Sequence, residues 1–373
     1  MKNIPLCTPD IIQKDLDVVN SVFKSGWLAH GEWNHKFEDA FSKEVGCKHS
    51  ISMNSCTSAL EISLKAHQIR GEVIIPSMTW VATANAVINT GNKPVFCEVD
   101  NKTRNVTADT ISPHINSNTE AIIVVHFGGQ VCEMESILSL CKKNKLLLIE
   151  DSAETLGGTW KNQKSGSFGV GCFSFFPTKN ITTGEGGMLT TNDDGINRKI
   201  RALIAHGIHS STFSRENSKE PWLRSADYAG HNFRMPNPLA ALGYQQLLRL
   251  DEMNANRQKI AKYYNKTLSD INSLITPYCH PDVEHVYQMY TIEVPEEKRD
   301  SLVNYLKNNG IGASVHFAPP VHLQSFYKNL GYKEGILPVT EALSKRLITL
   351  PIYSQMRIED AEFVSKKITN FMS

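Results

Sequence analysis

Residues 146–154 read Leu-Leu-Leu-Ile-Glu-Asp-Ser-Ala-Glu. The apolar run is continuous rather than alternating, and it ends abruptly in carboxylates. That is the pattern of a short strand covered on both faces, with a polar carboxyl end. Comparable runs lie on either side, at 72–76, 94–99, 121–126, 172–176 and 187–191. Helical segments separate several of them. Ser58-x-x-Glu61 is a capping-box pattern followed by the apolar-rich stretch 59–66, and 134–143 has an amphipathic spacing. Alternating strands and helices predict an α/β fold with a large, mostly parallel sheet covered by helices on both faces.

After residue 205 the character changes. Residues 206–230 are rich in Ser, His and charged side chains and predict a long loop, the kind that often carries function. Residues 238–264 predict one long helix with an apolar face of Leu239, Leu242, Leu247 and Leu250. Beyond it the pattern predicts a strand at 287–294, a helix at 298–309 stopped by Gly310, and a terminal helix at 359–372. Two domains are expected: a large one over residues 1–240 and a smaller α+β one over 241–373.

The 373 residues carry 39 Lys plus Arg against 38 Asp plus Glu, a net charge of +1. That balance argues against nucleic acid as a partner. The eight cysteines are scattered, without a C-x-x-C pair or a zinc-ligand spacing. They read as reduced thiols, which implies the cytoplasm and no metal site. The first residues lack a signal-peptide pattern, and the longest apolar stretches are far short of a membrane span, so no membrane association is expected.

In open parallel sheets, ligands bind outside the carboxyl ends of the strands. The segments expected there are Ser77-Met78-Thr79-Trp80, Gly128-Gly129-Gln130, Glu150-Asp151-Ser152-Ala153-Glu154 and Pro177-Thr178-Lys179-Asn180. Neither G-x-G-x-x-G after an early strand nor G-x-x-x-x-G-K-[ST] is present, so dinucleotide and Walker-type binding have no support. What is present is a lysine, a carboxylate, an aromatic ring and a hydroxyl-rich helix start. That set suits pyridoxal 5'-phosphate (PLP). A lysine makes a Schiff base with its aldehyde, an acid partners the pyridinium nitrogen, a ring stacks, and a helix N-terminus holds the phosphate.

Longer signatures run nearly end to end. They include Ser25-Gly26-Trp27-Leu28, Asn54-Ser55-Cys56-Thr57-Ser58-Ala59-Leu60, Phe173-Ser174-Phe175-Phe176-Pro177-Thr178-Lys179 and Gly184-Glu185-Gly186-Gly187. Gly230-His231-Asn232-Phe233-Arg234-Met235, Val315-His316-Phe317 and Leu350-Pro351-Ile352-Tyr353 follow. In this order and spacing the chain resembles the DegT/StrS-type sugar aminotransferases, PLP enzymes of fold type I. The resemblance implies that Lys179 carries the Schiff base and moves the proton, and that Asp151 meets the pyridine nitrogen. Trp80 would stack on the ring, and Cys56, Thr57 and Ser174 would hold the phosphate. Glu154 falls near the phenolic oxygen, where the family usually has Gln or His, and Cys56 falls where it usually has Gly.

Asn232 matches a position that reaches the phosphate from the neighbouring subunit, which implies a homodimer with shared active sites. Trp27, His126, Glu185, Arg234, His316 and His322 are expected around the substrate. Arg234 and the basic residues of the 206–230 loop are candidates for a nucleotide diphosphate. Each position also has a plainer use, as a solvated lysine, a strand-end acid, a packing aromatic or a loop asparagine. The implied reaction moves an amine from an amino acid donor, glutamate, to a nucleotide-linked keto sugar. Its product would be an amino sugar for surface polysaccharide or glycoconjugates. A cyclitol or other non-nucleotide keto substrate stays open, as does a non-catalytic regulatory relative. A sugar dehydratase of the same fold is disfavoured, because those relatives replace the Schiff-base lysine by histidine.

Overall fold

The chain is described by a computed structural model at residues 2–208, Trp222 and residues 225–373. The continuous apolar runs are paired as one sheet. Its strands are β1 (His49–Met53), β2 (Glu72–Pro76), β3 (Lys93–Cys97), β4 (Thr119–Val125), β5 (Leu147–Asp151), β6 (Val170–Ser174) and β7 (Gly187–Thr191). They lie in the order β1-β7-β6-β5-β4-β2-β3. Every pairing from β6 to β3 is parallel, while β7 runs antiparallel to both β1 and β6.

Strand β4 shows why these runs do not alternate. Ala121 and Ile123 belong to one core, and Ile122 and Val124 to another on the opposite face. Successive side chains point to opposite sides of a strand, so covering both faces demands apolar residues at every position. The helices Cys56–Ala66, Val81–Asn89 and Asp194–Leu203 contribute to the first core, and Met134–Asn144 to the second. A third cluster packs Phe37 and Phe41 of the helix Glu32–Val45 against Phe173 and Phe175.

Two features depart from the sequence expectation. Strand β1 was not anticipated, because Ser50 and Ser52 interrupt its apolar pattern. Both serines are buried and bonded to Glu38: Ser50 Oγ donates to the Glu38 carbonyl, and Ser52 donates its N–H and hydroxyl to the carboxylate at 2.8 Å each. The expected single helix at 238–264 is two, Asn237–Leu247 and Leu250–Leu268. The chain leaves helical geometry at Arg249, whose guanidinium bonds to Asp10 at 3.2 Å and Asp15 at 2.9 Å.

A separate core surrounds the antiparallel pair β8 (Tyr290–Glu293) and β9 (Leu347–Leu350). It is built from the helices Leu250–Leu268, Glu296–Asn308 and Ile358–Met372. Ile4 also belongs to it. The N–H of Ile4 donates to the Gly310 carbonyl at 2.8 Å, and its carbonyl accepts from Gly312 at 2.7 Å. The expected helix stop at Gly310 has a steric basis: its φ is +74°, and a Cβ there would lie 2.1 Å from the Lys2 carbonyl oxygen.

Glu38 joins three elements of the large sheet's cover. Beyond its bonds to β1, its other carboxylate oxygen accepts from Arg201 Nη2 at 2.9 Å. Burial pushes its pKa up, but Arg201, His30 and the Ser52 N–H outweigh burial and hold it at about 2, below the ordinary 4.5. The folded value lies below the unfolded one. The contribution to stability is therefore complete above about pH 4.5 and is lost as pH falls toward about 2. Denaturant titrations should show stability declining through that window. Glu38→Gln should cost about 2 to 4 kcal/mol near neutral pH and flatten the acid decline.

Candidate active site

The carboxyl ends of β1, β2, β4, β5 and β6 share one edge of the sheet with the first residue of β7, as the pairs Met53–Gly187, Ser174–Gly187 and Val125–Asp151 show. A cavity of about 500 Å³ opens there. Its walls include Cys56, Thr57, Trp80, Asp151, Glu154, Ser174, Lys179, Glu185 and His316. Residues from widely separated parts of the chain meet because each follows, or ends, a strand of the same sheet.

Asp151 is the last residue of β5 and is buried. Its Oδ2 accepts from the Thr83 hydroxyl at 2.8 Å, and its Oδ1 accepts from the Ala153 N–H at 3.3 Å. Thr83 gives its only O–H hydrogen to the carboxylate, so in the pair Thr79–Thr83, 2.9 Å apart, Thr79 is the donor. Burial pushes the Asp151 carboxyl above its ordinary value, while these donors and the charge of Lys179 act the other way. A cation in front of it, such as a protonated ring nitrogen, would relieve that cost. The Cys56 thiol lies 4.0 Å from Oδ1. Burial, and then the charge of Asp151, push that thiol well above its ordinary value, so it stays protonated.

Cys56 and Thr57 open the helix Cys56–Ala66. Ser55 caps it by accepting from the Ser58 N–H at 3.1 Å. The first N–H groups of a helix have no acceptor within it, and none is found for those of Cys56 and Thr57 among the described residues. They form a ready anion cradle, with the Thr57 and Ser174 hydroxyls beside it. Strand β7 lies flush against this helix start. A Cβ on Gly187 would fall 2.4 Å from the Ser55 carbonyl carbon and 2.5 Å from the Cys56 nitrogen, so the close approach requires glycine.

Trp80 stands at the N-cap of the helix Val81–Asn89 with 66% of its surface exposed, whereas Trp160 is 5% exposed. An aromatic ring left open at a cavity wall offers a stacking face. Lys179 Nζ lies 3.3 Å from Glu154 Oε1, and the other Glu154 oxygen accepts the Gly128 N–H at 2.8 Å. His316 shares a 2.7 Å hydrogen bond with the Thr349 hydroxyl through Nδ1, and burial lowers its pKa, so its ring is neutral at pH 7. The Gln288 amide donates to the Thr178 carbonyl at 2.9 Å, while its own oxygen is buried without a partner at the cavity wall. Together these groups fit a planar, phosphorylated pyridine aldehyde: an amine, a buried acid, an open ring, a cradle of N–H groups and an orphaned acceptor.

Other expected residues lie elsewhere. His126 is fully buried away from the cavity. Its Nδ1 accepts from the Cys132 N–H at 3.1 Å, so Nε2 carries the proton and donates to Glu150 at 3.2 Å. His322 is likewise enclosed, between the Ser77 hydroxyl at 2.6 Å and Glu341 at 3.1 Å. With both ring nitrogens engaged in the interior, neither histidine lines the cavity, contrary to the expectation that they would stand at its wall. Trp27, Asn232 and Arg234 do not line this chain's cavity. Trp27 donates to the His30 carbonyl, and Arg234 Nε donates to Asn232 Oδ1 at 3.0 Å. Of the 206–230 loop, residues 209–221, 223 and 224 lie outside the described residues.

Thr79 and Thr83, with Phe176, Cys7 and Gln288, also line the cavity; Thr79 and Phe176 lie in segments singled out from the sequence but carry no role there, and the other three were given none. The first two carry a usable signal, hydroxyls four residues apart at a strand-to-helix turn. Cys7 and Gln288 arrive from distant segments and belong to no motif.

The model of the DegT/DnrJ/EryC1/StrS aminotransferase family matches residues 9–369. The Bacillus subtilis spore coat polysaccharide biosynthesis protein SpsC is 38% identical over 99% of this chain and 97% of its own length. Among solved structures, the aminotransferase TlmJ from Streptoalloteichus hindustanus is 29% identical with a TM-score of 0.93, covering 100% of this chain and 99% of its own. The PLP form of Spr1654 from Streptococcus pneumoniae is 26% identical with a TM-score of 0.93 and the same coverage.

Thr83→Val keeps the shape of the side chain and removes the hydrogen donated to Asp151. Affinity for PLP, followed by absorbance, should fall roughly 10- to 150-fold, the effect of one hydrogen bond to a charged group. Thr83→Ser should recover most of it.

Proposed function

The chain belongs to the DegT/DnrJ/EryC1/StrS aminotransferase family of PLP-dependent sugar aminotransferases, and we propose that it moves an amino group from glutamate to a keto-deoxysugar carried on a nucleotide. The observation that carries this reading is the meeting of Lys179, Asp151 and the open helix start at Cys56 and Thr57 in one cavity. Bound PLP supplies an aldehyde that captures amines and a ring that accepts electrons.

In this reading Lys179 Nζ is the nucleophile toward that aldehyde. The same amine would hold and move the proton at the substrate carbon. Asp151, oriented by Thr83 and Ala153, keeps the ring nitrogen protonated. The N–H groups of Cys56 and Thr57, with the Thr57 and Ser174 hydroxyls, hold the phosphate. Trp80 covers the ring face. Glu185 and His316 stand at the substrate side. The cofactor-binding part is read as residues 1–240 and the smaller part as 241–373, although Ile4 packs with the latter.

Asn232 is exposed and lies away from its own chain's cavity. That position supports a homodimer in which Asn232 and Arg234 serve the partner's site. Similarity to a polysaccharide biosynthesis protein supports a product destined for surface polysaccharide or glycoconjugate. No described helix is long and apolar enough to cross a membrane, and all eight cysteines are free. The free thiols support a reducing, cytoplasmic setting.

Purified protein given PLP should develop a visible or near-ultraviolet band that bleaches on adding glutamate, and Lys179→Ala should lack it. A Lys179→Ala protein that keeps the band would move the Schiff-base role to another lysine. Among acceptors, nucleotide-linked keto sugars should be aminated and free keto cyclitols should not; the reverse preference would overturn the substrate reading. Mixing Lys179→Ala with Asn232→Ala subunits should restore part of the activity, about a quarter if exchange is random and only mixed dimers hold one intact site. Failure to recover any would count against shared sites.

A further inference from the structure

Glu154 has no task in the reaction as set out, yet it is the residue in contact with Lys179. Its two carboxylate oxygens are committed to different partners. One lies 3.3 Å from Lys179 Nζ, and the other accepts the Gly128 N–H at 2.8 Å. The Glu154 and Lys179 side chains are 10% and 16% exposed, so solvent screens the pair only weakly. The backbone bond fixes the carboxyl group, which cannot turn away from the lysine without leaving the Gly128 N–H unpaired.

The other titratable groups around the cavity do not duplicate this contact. Asp151 is bonded to Thr83 and Ala153, not to the lysine. His316 is held neutral by burial and is bonded to Thr349. The Cys56 thiol stays protonated. Cys7 shares its sulfur contact with the Thr178 carbonyl, and Glu185 lies at an exposed position. Among the described residues, Glu154 is the carboxylate within ion-pair distance of Lys179.

We propose that Glu154 is a positioning residue that favours the protonated form of the Lys179 nitrogen while that nitrogen is joined to PLP. This rests on Lys179 being the lysine that joins the cofactor. A carboxylate at this distance favours the cationic form of a nitrogen. The proton has a chemical use. Bound PLP would supply the carbon at which a donor amine replaces Lys179, and a lysine nitrogen that already holds its proton would be the more readily displaced. The enzyme's reactive form therefore extends to higher pH than a neutral side chain at position 154 would allow.

The test is an absorbance titration of the PLP-loaded protein from about pH 6 to about pH 10, comparing wild type with Glu154→Gln and Glu154→Asp. Glutamine keeps an oxygen for the Gly128 N–H and turns an uncharged NH2 donor toward the lysine in place of the anionic oxygen; circular dichroism and the thermal midpoint report whether the fold is retained. The long-wavelength band of the protonated nitrogen should persist in wild type to a pH higher by about 1 to 3 units than in Glu154→Gln. Glu154→Asp, with a shorter reach, should fall between them, and it carries the test if the Gln variant fails to fold or to hold PLP. Coincident midpoints in wild type and the variants would overturn the inference while leaving the Lys179 assignment intact. A wild-type protein with no such band at any pH would overturn the Lys179 assignment, and the inference with it.

Discussion

The molecule is organised around two carboxylates placed side by side at the end of β5. Successive strand residues face opposite sides of the sheet, so Glu150 and Asp151 enter different environments although they are neighbours. Each must be satisfied where water does not reach. Glu150 accepts the N–H groups of Gly166, Phe168 and Gly169 at 2.7 to 2.8 Å and bonds to His126. Its charge is used to fix the turn that leads into β6. Asp151 receives one hydroxyl and one N–H, which orient it without saturating it. Structural support and chemical capacity are thus separated by one residue of strand parity.

The same economy of position explains the rest of the cavity. Parallel strands deliver their carboxyl ends to one edge, so a lysine after β6, an aromatic after β2 and a helix start after β1 meet without any local sequence relation. The antiparallel β7 brings an amino end to that edge instead, and Gly187 lets it touch the helix start. Residues that sequence spacing would never link become neighbours because the sheet imposes a common boundary.

Much of this was legible in the chain. Strands buried on both faces announce themselves by unbroken apolar runs, and polar residues just after them could be named as a site. Asp151, Lys179 and Trp80 could be placed at the cavity edge in that way, whereas the Cys56–Thr57 helix start came from the family resemblance. Strand β1 was not, because its serines face a buried carboxylate and imitate a loop composition. His126 and His322 were misplaced for a related reason. A histidine after a strand or in a loop has the same letter whether its ring faces a cavity or the interior, and only the partners of its two nitrogens decide. The break at Arg249 depended on acids more than two hundred residues away. Cys7, packed against the core around β8 and β9, and Gln288, just before β8, reach the cavity from segments distant in sequence, which no local pattern encodes.

Residues near the start and near the end of the sequence are bound into one wall. Ile4 sits in a core whose other members come from residues 260–372, and its backbone partners are Gly310 and Gly312. Leu6 and Cys7, a few residues on, form part of the cavity wall. The lysine and acids stand on a sheet edge whose strands lie within residues 49–191, whereas the wall that encloses them is held by contacts spanning nearly the whole sequence. Loosening residues 4–7 therefore bears on the enclosure of the pocket and not on the strands that gather its reactive groups.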